Sequence, residues 1–278
     1  MRVPKPRTRS TLATPRSLAI VHTVQSTSLA TNTLGVVIDG EDGGRIASFT
    51  VDGREMLVTA SDSTYDWGLY CMVPYAGRVR NAVFTFNDIS YELPAVTNGH
   101  ALHGTVLHEQ WTRDEITNTS AVFSTSLGKS WPFRGTCTHR ITLLPDRLRC
   151  ELSVTAHDDM PVQLGWHPWF RQGIAHTRFN AMLKRDADGI ATSERVEPVT
   201  HNIDDCFLEP NAWPRVVVDN VTLEIASDCP FWIHYDAPSG DVCIEPQSGP
   251  PNGINDAPLL LSAGNTFTRW MELRVVRK

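Results

Sequence analysis

Residues 136–155 read TCTHRITLLPDRLRCELSVT, and this stretch decides the fold class. Cys137, His139, Ile141 and Leu143 alternate with polar neighbours, Pro145-Asp146 supplies a turn, and Leu148, Cys150, Leu152 and Val154 resume the alternation. A period of two sends successive side chains to opposite faces of a strand, so the stretch reads as an antiparallel hairpin with one buried face. The same pattern recurs outward from it. Val83-Phe84-Thr85-Phe86 and Ile89-Ser90-Tyr91-Glu92-Leu93 flank Asn87-Asp88, residues that tolerate positive φ or cap their own backbone. Near the start, 35–39 and 45–51 flank Gly43-Gly44, and Asp52-Gly53 offers a tight turn. At the end Met271, Leu273 and Val275 face opposite to Glu272 and Arg274. Helical windows are scarce, which predicts an all-β chain of two antiparallel sheets packed as a large β-sandwich.

Hydrophobic residues at 41% and charged residues at 20% suit a globular protein with a sizeable core. The 18 prolines and 18 glycines are spread rather than gathered into a linker, so one domain is expected over residues 17–278. Before it, Arg2, Lys5, Arg7, Arg9 and Arg16 make a basic segment without acids, read as a disordered tail over residues 1–16. Removing those five leaves 20 basic against 31 acidic residues, and an acidic body repels phosphate backbones; no nucleic-acid partner is expected. From Ser17 to Ile38 no charged residue occurs, but Ser, Thr, Gln and Asn interrupt it too often for a signal peptide or a membrane span. Cys71, Cys137, Cys150, Cys206, Cys229 and Cys243 form no C-x-x-C pair, which fits reduced thiols and a cytoplasmic protein.

Four segments carry more polar and aromatic equipment than packing needs. Pro74-Tyr75-Ala76-Gly77-Arg78 sets an arginine after a glycine turn, where its planar fork can hold hydroxyls or carboxylates or simply meet solvent. His100, His103 and His108 lie within nine residues, but spacings of three and five match neither a strand pair nor a helix pair of zinc ligands. Gly165-Trp166-His167-Pro168-Trp169 aims one imidazole from between two indoles, with proline fixing the backbone behind it. Cys243-Ile244-Glu245-Pro246-Gln247 ends an apolar strand on a carboxylate whose burial would raise its pKa toward that of a general base. Asp204-Asp205 adds adjacent acids; on a strand at most one faces a given pocket. Two acids as far apart in sequence as Asp204 and Glu245 would equally serve a glycosidase.

Taken in order from about Leu34 to the C-terminus, these segments resemble the aldose 1-epimerase (galactose mutarotase) family. Gly43-Gly44-Arg45-Ile46 with Asp52-Gly53 is similar to its opening hairpin, and Pro74 to Arg80 to its arginine turn. Leu102-His103-Gly104, Gly165-Trp166-His167-Pro168 and Cys243-Ile244-Glu245-Pro246-Gln247 are similar to its three catalytic-site motifs. The resemblance implies a galactose mutarotase-like supersandwich that interconverts the anomers of a monosaccharide of glucose or galactose type. It implies His167 as general acid, Glu245 as general base, His103 as a second active-site histidine, and Arg78 with the Asp204 position on sugar hydroxyls. Trp166 beside the acid is expected to line the sugar site. Two departures fall on substrate contacts: His100 stands where the family usually has asparagine, and Asp204-Asp205 where it has an aspartate-histidine pair. No cofactor and no metal are implied, although His103, His167 and Glu245 would formally make a two-histidine, one-carboxylate set. The alternatives within this reading are an epimerase of phosphorylated hexoses, with Arg80 and Arg171 as phosphate ligands, and a non-catalytic sugar binder. A monomer or homodimer is expected.

Overall fold

A computed structural model describes residues 26–277. The basic tail expected to residue 16, and the first residues of the domain expected from residue 17, lie outside them. Among the described residues the only α-helix is the four-residue Gly253–Asp256, and nearly all the rest of the regular structure is strand. No helix here is long and apolar enough to cross a membrane.

The hairpin of residues 136–155 forms as read, Gly135–Leu144 pairing antiparallel with Arg147–Ala156. It sits at the centre of an eight-stranded sheet in which Arg147–Ala156 also pairs with the C-terminal strand Thr266–Val276. The second hairpin pairs Val83–Phe86 with Ile89–Glu92, and Asn87 and Asp88 turn it with φ of 50° and 60°. That is the positive-φ geometry that matches the twist of paired strands.

The larger sheet has eleven strands, and its middle runs Leu69–Met72, Gly165–Phe170, Val242–Gln247, Phe231–Asp236, Asp204–Pro210, Phe179–Arg185, each antiparallel to the next. One face packs on the eight-stranded sheet. Trp166, Trp232 and Ile244 from the larger sheet join Ile141, Cys150, Leu152 and Met271 from the smaller in one buried core. Two polar contacts cross the same interface: Trp166 Nε1 donates to His139 Nε2 at 3.3 Å, and His139 Nδ1 lies 3.4 Å from Cys71 Sγ. The acceptor role of Nε2 leaves the proton on Nδ1, so both ring nitrogens of this buried histidine are satisfied. The sheet's other face is the floor of a cleft lined by His167, Glu245 and Asp204.

Candidate active site

Register brings the two central chemical groups together. Gly165 pairs with Gln247 and Trp169 with Cys243, which sets His167 opposite Glu245 on adjacent strands. Each is followed by proline, Pro168 and Pro246, and a proline nitrogen donates nothing to a ladder. Within this interrupted stretch His167 Nε2 lies 3.2 Å from Glu245 Oε1, both side chains almost wholly buried. Gln247, two residues on and therefore on the same face, donates from Nε2 to Glu245 Oε2 at 3.1 Å.

Aromatic rings fix the imidazole from both sides. Tyr70, on the neighbouring strand opposite His167, stacks on it at 4.8 Å and 22°, and Trp169 stacks on it at 5.4 Å and 15°. Those two rings are themselves tied to one point, since Tyr70 Oη and Trp169 Nε1 donate to the Tyr65 carbonyl at 3.0 and 2.7 Å. His103 closes a third side, its ring perpendicular to that of His167 at 4.9 Å. It comes from a tight turn: Leu102 pairs with Arg78, His103 has φ of 57° and Gly104 φ of 80°, and the His103 N–H donates to the Gly77 carbonyl at 3.0 Å. A Cβ at Gly104 would stand 2.1 Å from the Val73 carbonyl oxygen, so only glycine fits behind this histidine.

These groups open onto a cleft of about 660 Å³, large enough for a monosaccharide, whose lining includes Tyr65, Trp169, Arg78, Arg185, Asp204 and Gln247. Arg78 Nη1 donates to the Gly189 carbonyl at 3.0 Å, and its Nη2 lies 3.8 Å from Asp204 Oδ2. Arg185 Nη1 bonds Asp204 Oδ2 at 2.8 Å while its Nε lies 3.5 Å from Asp205 Oδ1.

Burial sets the protonation states. Desolvation, assisted by the positive charge of Arg78, lowers the His103 pKa to about 3 and keeps that ring neutral. Desolvation, with His103 adding to it, pushes His167 well below its ordinary value. Glu245 is driven well above the usual carboxylate range, first by desolvation and then by the negative charge of Asp204. Asp204 is also raised, chiefly by burial. Two opposed shifts across 3.2 Å describe a pair that holds one proton between them.

Several expectations are corrected. Asp204 and Asp205, adjacent acids that could have held the imidazole charged, do not pair with His167; among the described residues its ion-pair partner is Glu245. Trp166 is fully buried in the core and turned toward His139; parity puts it on the opposite face from His167. His100 is also buried away from the cleft, its Nδ1 accepting the Asn81 N–H at 3.0 Å. Both Asp204 and Asp205 reach the lining, against the expectation of one. Asp204 begins its strand on the cleft face, and the buried Asp205 carboxylate folds back to accept the Asp204 N–H at 3.3 Å. Tyr70, Trp169, Arg185 and Gln247 were missed; for Trp169 and Gln247 the signal was present, because each stands two residues from a catalytic candidate.

The model of the family described as Aldose 1-epimerase matches residues 29–274. The chain belongs to that family. Solved structures with the same fold include a candidate aldose 1-epimerase of Escherichia coli K12, at 20% identity and TM-score 0.79, covering 91% of this chain and 99% of that one. The GalM/aldose epimerase homologue of C. elegans aligns at 13% identity and TM-score 0.80 over 91% and 98% of the two chains. A galactose 1-epimerase of Lactobacillus acidophilus aligns at 14% identity and TM-score 0.75 over 90% and 94%. No curated protein sequence matches the chain.

Proposed function

We propose that the protein is a mutarotase that interconverts the anomers of a free hexose, with Glu245 as general base, His167 as general acid and His103 as a neutral hydrogen-bonding group. The observation that carries this reading is the buried 3.2 Å contact between His167 Nε2 and Glu245 Oε1 at the floor of a sugar-sized cleft. An aldose changes anomer when its C1 hydroxyl loses a proton and its ring oxygen gains one. The ring then opens, the C1–C2 bond turns, and closure on the other face reverses both transfers. The shared proton, which burial favours on Glu245, first passes to His167 across the 3.2 Å contact; Glu245, now a carboxylate, takes the hydroxyl proton while His167 gives its own to the ring oxygen. The pair carries one proton before and after, so the net charge of the buried site never changes, which a low-dielectric cleft requires. Trp169 and Tyr65 offer ring faces to the sugar's apolar side, and Arg78 with Asp204 offers a donor and an acceptor for its hydroxyls.

Charge supports a free rather than a phosphorylated sugar. Arg80 is engaged by Asp186 and Asp188 at 2.5 and 2.6 Å, and Arg171 is exposed and absent from the lining. The cleft's two arginines, Arg78 and Arg185, stand among Asp66, Asp204, Asp205, Asp241 and Glu245. A phosphate dianion would enter a site with more acids than bases, both of whose arginines already face Asp204. Polarimetry of freshly dissolved α-D-glucose and α-D-galactose, beside their 6-phosphates, tests the proposal. Acceleration is expected for at least one free sugar and at least ~10-fold less for its phosphate. Preference for a phosphate overturns the charge argument; no acceleration of any of the four overturns the mutarotase reading.

A further inference from the structure

The catalytic pair has a third neighbour that the mutarotase scheme does not use. Cys243 lies on the same strand as Glu245 and two residues before it, so both side chains project from one face, beside His167. It is a free thiol, wholly buried, and packs against Tyr70, Trp169 and Tyr235, beneath the rings that hold His167. One ligand atom from each of His167, Cys243 and Glu245 lies within 4.8 Å of the other two. A tetrahedral zinc ion has nitrogen and oxygen ligands about 3.4 Å apart, and sulfur about 3.6 Å from either. The observed 3.2 Å between His167 Nε2 and Glu245 Oε1 is close to that edge, and the sulfur needs to approach by no more than about 1.2 Å.

We propose that His167, Glu245 and Cys243 form a binding site for a thiophilic divalent cation, Zn²⁺ or Cd²⁺, and that its occupation switches off turnover. The ion enters through the cleft, replaces the proton shared by His167 and Glu245, and takes the thiolate of Cys243 from behind. Its fourth position faces the cleft, where water completes the tetrahedron. A thiol binds the ion only as thiolate, so binding releases the Cys243 proton as well as the shared one. The nitrogen, oxygen and sulfur donor set favours these ions over Mg²⁺ or Ca²⁺, which take oxygen ligands. Loss of turnover on binding rests on the mutarotase reading; binding itself does not.

Titration of the full-length protein with CdCl₂, followed by the ultraviolet thiolate-to-cadmium charge-transfer band, tests the site directly. One equivalent is expected to develop the band in the wild type, while Cys243→Ala loses it and keeps its metal-free mutarotation. Losing a direct ligand exceeds the ~10- to 100-fold loss typical of an outer one, so Cys243→Ala should need at least ~10-fold more cadmium for half-inhibition. Glu245→Gln, which retains the thiol, should weaken cadmium binding by at least ~10-fold by the same spectroscopic reading, and it decides the matter if Cys243→Ala does not fold. An undiminished band or unchanged cadmium sensitivity in Cys243→Ala overturns the proposal, as does the absence of any band in the wild type. Cadmium bound at these residues in a protein that turns over no hexose would leave the site standing and remove the mutarotase reading. Turnover without cadmium binding would do the reverse.

Discussion

Glu245→Gln should lower activity without lowering stability. The glutamine keeps the shape of the side chain, and its amide oxygen can still accept the hydrogen bond that Gln247 Nε2 now makes at 3.1 Å. What it loses is the capacity to take a proton. A positioned general base contributes ~10² to 10⁴ in rate, or about 3 to 5 kcal/mol of barrier, so turnover should fall by at least ~100-fold. Stability should not fall with it. Glu245 is held well above its free value by burial, so the folded protein binds this proton more tightly than the unfolded chain does. Its contribution is therefore fullest below the unfolded pKa and is lost as pH rises through the folded one. Glutamine does not titrate and escapes that loss. At pH 7 to 8 the variant should melt at or above the wild-type temperature, each kcal/mol appearing as about 2 °C in a chain of this size. The difference should shrink toward pH 4, where the carboxyl is protonated in the folded state and mostly so in the unfolded one. Polarimetry and thermal melts at three pH values measure both arms. A rate within ~10-fold of wild type in a folded variant refutes the assignment of the base, and a variant less stable than wild type at pH 8 but not at pH 4 refutes the burial argument.

The dependence of kcat/KM on pH should show the same pair. The proposed mechanism needs one proton between His167 and Glu245, and burial resists addition of a second, so the acid limb should fall below the ~6.5 of a free imidazole. An acid limb centred at or above that value would contradict the lowered His167. The alkaline limb should follow the raised Glu245 and disappear from the residual activity of Glu245→Gln. Gly104→Ala tests the turn behind His103. With φ of 80° and a Cβ that would stand 2.1 Å from the Val73 carbonyl oxygen, it should cost at least ~2 kcal/mol in urea unfolding and lower turnover by displacing His103. A variant with wild-type stability and rate would show that the turn does not hold His103.

Alternation at residues 136–155 was enough to predict antiparallel β-structure, because period two follows from local backbone geometry and needs no knowledge of partners. The Asn87-Asp88 turn was legible for the same local reason, and the ordered motifs around His103, His167 and Glu245 carried the family. Parity held more than was taken from it. The alternation that sends Asp204 and Asp205 to opposite faces also sets Trp166 against His167 and puts Trp169 on the face of the imidazole. What no local pattern contains is which distant strands meet. The 3.2 Å contact of His167 with Glu245 depends on the pairing register of two strands far apart in sequence. So does the loss of Arg80 to Asp186 and Asp188, and of His100 to the Asn81 backbone. Protonation was decided there too, since desolvation is a property of the assembled cleft: the sequence by itself supplied an acid and a base, and only burial joined them into one proton-sharing pair.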